Sequence, residues 1–193
     1  MPLNFANQIT AARILMVPFF IAAVLYNVPD QKILRMTALG IFLVAVISDV
    51  IDGYIARRWH QRSPAGVILD PIADKLLLMS AFLCLYKIGV GFPVVSFPKW
   101  LIVAVVSRDV ILLIGAGIIY ILHGRMPVEA TFWGKASTCL QVLSVIAMLL
   151  QWPALWLWQM TLVLTVISGV DYLRIGIQVI NNSAMRELAR GIK

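Results

Sequence analysis

Residues 48–76 read SDVIDGYIARRWHQRSPAGVILDPIADKL. Four aspartates, Asp49, Asp52, Asp70 and Asp74, flank a short polar connection at 60–64. Asp49, Asp52, Gly53, Ala56 and Arg57 recur at i, i+3, i+4, i+7 and i+8, which is one face of a helix. Gly66, Asp70 and Asp74 recur at i, i+4 and i+8, one face of the next. So short a connection makes the two helices antiparallel neighbours. Their carboxylate faces then meet at one end of the pair.

The rest of the chain says what surrounds that hairpin. Of 193 residues, 61% are apolar and 13% charged, against about 25% charged in an ordinary soluble domain. The mean hydropathy is +0.91. These values exclude disorder, a collagen-like chain and a disulfide scaffold, and they point to the bilayer as solvent. A membrane helix takes about 20 residues, so the length allows five to seven spans and no separate soluble domain. Apolar runs broken by Pro, Gly and polar residues predict helices at about 7–28, 31–59, 65–88, 99–122, 132–151 and 154–180. Pro18 and Pro71 fall inside helices, which membrane spans tolerate. The expected fold is all-α, a single membrane domain over 1–193 with six transmembrane helices.

Six spans place both termini on one side. The net charge is +7, from 16 Lys and Arg against 9 Asp and Glu. In a soluble protein that excess would suggest nucleic acid; here it suits basic loops and an anionic lipid surface. Arg57, Arg58 and Arg62 follow the second helix, Arg125 the fourth, and Arg174, Arg186, Arg190 and Lys193 lie at the C-terminal end. The turn between helices 5 and 6 has no charge. The positive-inside rule then puts both termini and the 2–3 and 4–5 loops in the cytoplasm. Trp152, Trp156 and Trp158 fit an outer aromatic belt. Cys84 and Cys139 read as buried small apolar residues. The start of the chain has no basic region or cleavage site of a removable leader. The segment 181–193 reads as a polar, basic tail resting on anionic headgroups.

Ionisable groups in a span are expensive, by at least ~2.5–3.5 kcal/mol at the helix centre. Four carboxylates on facing helices therefore need compensating cations. Hard oxygen donors suit Mg²⁺, Mn²⁺ or Ca²⁺ rather than zinc, and a pair of such ions can grip phosphates during a displacement. Gly53, Ala56 and Gly66 leave room for a ligand or for close helix packing. Arg57 offers a planar fork to phosphate. An interhelical salt-bridge cluster with Arg57, Arg58 and Lys75 would not need so regular a pattern. A proton or ion relay of a transporter is the stronger rival from spacing alone.

The pattern Asp49-x2-Asp52-Gly53-x2-Ala56-Arg57-x8-Gly66-x3-Asp70-x3-Asp74 resembles the signature of the CDP-alcohol phosphotransferase family at every fixed position. Asn7-x2-Thr10-x2-Arg13 resembles the N-terminal stretch of bacterial members. Ser107-Arg108-Asp109-Val110, Gly134-Lys135 and Ser168-Gly169-Val170-Asp171-Tyr172 are also similar, so the likeness covers nearly the whole chain. It implies six membrane helices around a polar cavity facing the cytoplasm, a homodimer, and a site in the bacterial inner membrane. It further implies attack of an acceptor hydroxyl on CDP-diacylglycerol with release of CMP. Asp49, Asp52, Asp70 and Asp74 would bind two divalent ions, Mg²⁺ or Mn²⁺, with Asp74 as general base. Gly53, Ala56, Arg57 and Gly66 would line the CDP pocket, with Asn7 and Thr10 capping it.

Arg108, Lys135, Tyr172 and Arg174 are the expected acceptor residues, and a basic pocket calls for an anionic acceptor. Phosphatidylglycerophosphate synthases carry Ala-Arg-Glu in the fourth helix and another Arg about two turns later. Here Ser107-Arg108-Asp109 stands instead, with Ala116 in place of the second Arg. That resembles cardiolipin synthases and makes phosphatidylglycerol the expected acceptor, with glycerol 3-phosphate the alternative. A free phosphate dianion wants more cationic donors than a lipid phosphodiester does. Asp109 either orients Arg108 or pairs with a neighbouring helix.

Overall fold

In a computed structural model, the backbone is described over residues 5–26, 32–59, 64–89, 95–123 and 131–191, and side chains over 12–26, 32–51, 72–87, 95–118 and 131–178. The described residues form six helices: α1 (Phe5–Leu25), α2 (Lys32–Trp59), α3 (Pro64–Gly89), α4 (Lys99–His123), α5 (Phe132–Leu149) and α6 (Leu155–Gly191). Four segments are long and apolar enough to cross a membrane: Lys32–Ile51, Lys99–Ile118, Phe132–Leu149 and Leu155–Gln178. A shorter apolar helical segment runs over Ala12–Leu25. The chain is therefore an all-helical integral membrane protein.

The helix starts and stops follow local chemistry. Pro64 opens α3, where a fixed φ and a missing N–H cost nothing. Thr131 caps α5 by accepting the Gly134 N–H at 3.1 Å. At the other end of α5, Gln151 takes φ 56°, the left-handed region. The Gln151 N–H reaches the Met148 carbonyl and the Trp152 N–H the Ala147 carbonyl. This is a Schellman closure with Gln where Gly is usual, followed at once by Pro153. It stops α5 at Leu149, two residues before the expected end.

Two other boundaries differ from expectation. α1 ends at Leu25, with Tyr26 in a turn closed onto the Ala22 carbonyl; the expected final residues, 27 and 28, lie outside the described residues. α6 runs on to Gly191 instead of ending near 180. Its last stretch, NNSAMRELAR, is rich in Ala, Met, Glu, Leu and Arg, which are good helix formers. At 1.5 Å per residue, 37 residues span roughly 55 Å, well beyond a ~30 Å hydrocarbon core.

α1 packs on α2 and α3, α3 on α4, α4 on α6 and α5 on α6, with lighter contacts of α5 to α2 and α3. The buried apolar core lies toward the ends of the helices remote from the α2–α3 connection. Phe20 tilts against Phe42, with ring centres 5.8 Å apart. Phe97, just before α4, stacks on Phe82 at 5.0 Å and meets the edge of Trp158 at 5.8 Å. Leu77, Leu78, Leu85, Leu101, Met148 and Leu149 fill the space around them. Trp158 is thus a core residue, whereas Trp152 and Trp156 are exposed as a belt requires. Cys84 is half-buried and Cys139 is exposed on α5, so the expected burial fails for Cys139. The lipid-facing side of an apolar helix accommodates a small thiol as readily as its core side.

Between α5 and α6, buried polar pairs accompany the apolar contact of Leu140 and Ala147 with Leu157. Ser137 meets Thr165 at 3.2 Å and Ser144 meets Thr161 at 2.9 Å. Hydroxyl pairs of this kind join helices where the surroundings are as apolar as the helix faces.

Candidate active site

The helical backbone of α2 runs unbroken through Trp59, and that of α3 from Pro64. The spacings of the aspartate signature are therefore helical spacings. Asp49 and Asp74 have described side chains, both half-buried. The side chains of Asn7, Thr10, Asp52, Gly53, Ala56, Arg57, Gly66 and Asp70 lie outside the described residues, as does Arg125.

Arg13 of α1 reaches Asp49 of α2, with Nη1 2.6 Å from Oδ1. Its side chain is 2% exposed and that of Asp49 is 40% exposed. An Arg buried among apolar helices is tolerated only against a fixed negative partner. Asp74 of α3 lies in the field of Lys75, Asp49, Arg13 and Asp109. The register thus brings α1, α2 and α3 together through their charged positions, at the opposite end from the aromatic core.

A second group of charges adjoins the first. Asp109 of α4 is fully buried, and its Oδ1 accepts from Arg108 Nη1 at 2.6 Å. The same oxygen lies 3.2 Å from Lys75 Nζ on α3. Arg108, itself 6% exposed, donates through Nη2 to Ser168 Oγ of α6 at 2.6 Å. A Cβ on Gly134 would lie 3.6 Å from Arg108 Nη2 and 3.7 Å from Ser168 Oγ; one on Gly169 would lie 3.7 Å from Arg108 Cγ. These distances place the backbones of α5 and α6 within van der Waals reach of the Arg108 side chain. Tyr172 lies against α4 at Gly115, where a Cβ would be 3.3 Å from its ring.

Of the expected acceptor residues, Arg108 is buried in this network, Tyr172 is half-buried beside it, and Lys135 and Arg174 are exposed. Both alternatives for Asp109 hold at once: it orients Arg108 and pairs with a neighbouring helix. From sequence, Arg13 and Ser168 figure only within family-like stretches and Lys75 only in the disfavoured salt-bridge cluster; the structure pairs Lys75 with Asp109 instead. The signal for Arg13 and Lys75 is a charge inside an apolar run, which requires a partner. Ser168 carries no such signal, because a lone hydroxyl on a membrane helix can bond its own backbone.

The donor chemistry can be weighed for a metal. Among the described residues no group of three or more His, Cys, Asp or Glu could hold an ion. Asp49 and Asp74 supply hard oxygens, and a guanidinium stands on Asp49 Oδ1 where a cation is wanted. Arg13, Lys75 and Arg108 balance Asp49, Asp74 and Asp109. Asp52 and Asp70 add two negative charges on the same helices, with Arg57 and Arg58 also on α2. The carboxylate oxygens are hard donors of the kind that divalent ions take.

A family model described as CDP-alcohol phosphatidyltransferase matches residues 3–169. The chain is 32% identical over 176 residues to a probable phosphatidylglycerophosphate synthase of Mycobacterium tuberculosis, covering 88% of this chain and 79% of that one. It is 28% identical over 181 residues to the CDP-diacylglycerol–glycerol-3-phosphate 3-phosphatidyltransferase of Haemophilus influenzae, covering 91% and 94%. It is 33% identical over 139 residues to a cardiolipin synthase (CMP-forming) of Streptomyces coelicolor, covering 70% and 60%.

Proposed function

The chain belongs to the CDP-alcohol phosphatidyltransferase family, and from that premise we propose that it transfers the phosphatidyl group of CDP-diacylglycerol to glycerol 3-phosphate. The acceptor oxygen forms a bond to the lipid-linked phosphorus, the bond from that phosphorus to the CMP oxygen breaks, and CMP leaves. The acceptor proton passes to an oxygen of Asp74, which has no neighbouring guanidinium in direct contact among the described residues. Asp49, Asp52, Asp70 and Asp74 are the residues to hold two divalent ions, Mg²⁺ or Mn²⁺. Such ions, when bound, polarise the pyrophosphate and offset charge on departing CMP. Gly53, Ala56, Arg57 and Gly66 line the CDP pocket, with Asn7 and Thr10 at its edge.

The observation that carries the reading is the buried Arg108 beside the signature helices, pinned by Asp109 and Ser168. A cation held so firmly inside a membrane domain suits an anionic substrate group. Lys135, Tyr172 and Arg174 complete the acceptor side. Phosphatidylglycerol is the acceptor expected from residues 107–109. Relatives that span more of both chains, named for glycerol 3-phosphate, shift the choice to that acceptor. Ala116, where the glycerophosphate branch has a second Arg, favours phosphatidylglycerol and a cardiolipin product as the second reading.

Six spans with both termini cytoplasmic, a site open to the cytoplasmic face of a bacterial inner membrane, and a homodimer complete the proposal. The basic residues of the 2–3 and 4–5 connections and of the C-terminal end support that orientation. The test offers labelled CDP-diacylglycerol with Mg²⁺ or Mn²⁺ and each acceptor separately. CMP release with glycerol 3-phosphate alone is expected. Release with phosphatidylglycerol alone would move the protein to the second reading. Release with neither, together with ion flux in sealed vesicles, would favour a transporter.

A further inference from the structure

We propose that Asp109 is a positioning residue for the acceptor half of the reaction. Its buried carboxylate couples Lys75, the neighbour of Asp74 on α3, to Arg108 on α4. The inference rests on the reading of Arg108 as a cation for the acceptor phosphate, and it assigns roles to Asp109, Lys75 and Ser168.

Three observations carry it. First, both cations converge on one oxygen: Arg108 Nη1 lies 2.6 Å and Lys75 Nζ 3.2 Å from Asp109 Oδ1. The carboxylate is fully buried, a costly placement inside a membrane domain that the two cations offset. Second, the guanidinium is held at both forks, by Asp109 through Nη1 and by Ser168 through Nη2. Its plane is therefore set by two helices, and the α5 and α6 backbones at Gly134 and Gly169 lie close against its side chain. Third, Arg108 Nε and Asp109 Oδ2 are buried without a hydrogen-bond partner among the described residues, so the cluster is not saturated internally.

The consequence is mechanical and electrostatic. Lys75 stands one residue from the proposed base. Released from Asp109, its ammonium would be a competing partner for the signature carboxylates. Held by Asp109, it ties the base-bearing helix to the helix that carries the acceptor cation. The distance between base and acceptor phosphate then depends on Asp109, although Asp109 itself touches neither reacting atom.

The experiment measures KM for each substrate and kcat on the purified full-length protein. The acceptor is glycerol 3-phosphate or phosphatidylglycerol, whichever the unaltered protein uses. Asp109→Asn should raise the acceptor KM by about tenfold or more while leaving the CDP-diacylglycerol KM within about twofold. Asp109→Glu should recover most of that loss. If Asp109→Asn does not fold, Lys75→Met/Asp109→Asn takes its place, since it removes one cation with the carboxylate and leaves the net charge of the cluster unchanged. It should show the same acceptor-selective rise. An unchanged acceptor KM, or equal rises in both KM values without recovery by Glu, overturns the inference. Arg108→Gln separates the two levels. If Arg108→Gln leaves the acceptor KM unchanged, the acceptor reading itself fails. If it raises that KM while Asp109→Asn does not, only the positioning role of Asp109 fails.

Discussion

Arg13 of α1 places Nη1 2.6 Å from Asp49 Oδ1 of α2, so the first aspartate of the signature is held by a helix far from it in sequence. The arrangement gives α1 a part in the site: it orients one proposed metal ligand. Arg13→Gln should destabilise the protein by on the order of 1–3 kcal/mol, less than a fully buried pair would, because Asp49 is partly exposed. Arg13→Lys keeps the charge but loses the planar fork and should fall between. Thermal unfolding in detergent micelles reads both, and an unfolding temperature of Arg13→Gln equal to the unaltered protein would remove the structural role of the pair.

Asp74→Asn tests the base. The substitution keeps the shape and removes the proton acceptor, while the Lys75–Asp109 pair remains to hold α3 against α4 and the Arg13–Asp49 pair to hold α1 against α2. CMP release should drop by roughly 10²-fold or more, with the unfolding temperature shifted by little. Turnover within a few-fold of the original would move the base elsewhere.

How much of this was written in the sequence depends on which interactions are local. The aspartate spacing needed only 3.6-residue periodicity, and α2 and α3 bear it out as helices. The six helical segments followed from apolar runs and breakers. α5 ended early because Gln151 adopts a left-handed cap, which sequence associates with Gly or Asn. α6 ran long because composition signalled a polar tail while propensity favoured continuation. Trp158 went to the core because Phe97 lies before α4, a placement no local pattern contains. The partner of Arg108 on α6 was hidden for the same reason: Ser168 is sixty residues away, and its hydroxyl has no charge to announce it.

Ser168 and Gly134 allow the acceptor side to be tested without removing a charge. Ser168→Ala deletes a 2.6 Å bond to a guanidinium, a charge-assisted contact of about 1.5–3 kcal/mol. The acceptor KM should rise roughly tenfold. Gly134→Ala should be mild in comparison, since the added methyl lies 3.3 Å from the Thr131 hydroxyl and needs only a small shift of that cap. Gly134→Val directs further bulk toward Arg108 and Ser168 and should impair acceptor use more than Ser168→Ala does. Equal acceptor KM values for Gly134→Val and the unaltered protein would show that the α5 backbone does not confine Arg108.

The α5–α6 turn offers a test of the fold independent of the chemistry. Gln151 holds φ 56° so that its own N–H and that of Trp152 can close the end of α5. A residue with a Cβ carries a left-handed cost of ~1–2 kcal/mol. Gly avoids that cost but loses ~0.5–1 kcal/mol through the greater freedom of the unfolded chain. Gln151→Gly should therefore gain about 0.5 kcal/mol, a rise of roughly 1–2 °C in unfolding temperature for a chain of this size. Gln151→Val, with its branched Cβ, should shift the temperature the other way. The turn joins two helices through an uncharged connection remote from the aspartates, so kcat and both KM values should stay unchanged in Gln151→Gly. A lower unfolding temperature for the Gly variant would mean that residue 151 does not hold the left-handed cap.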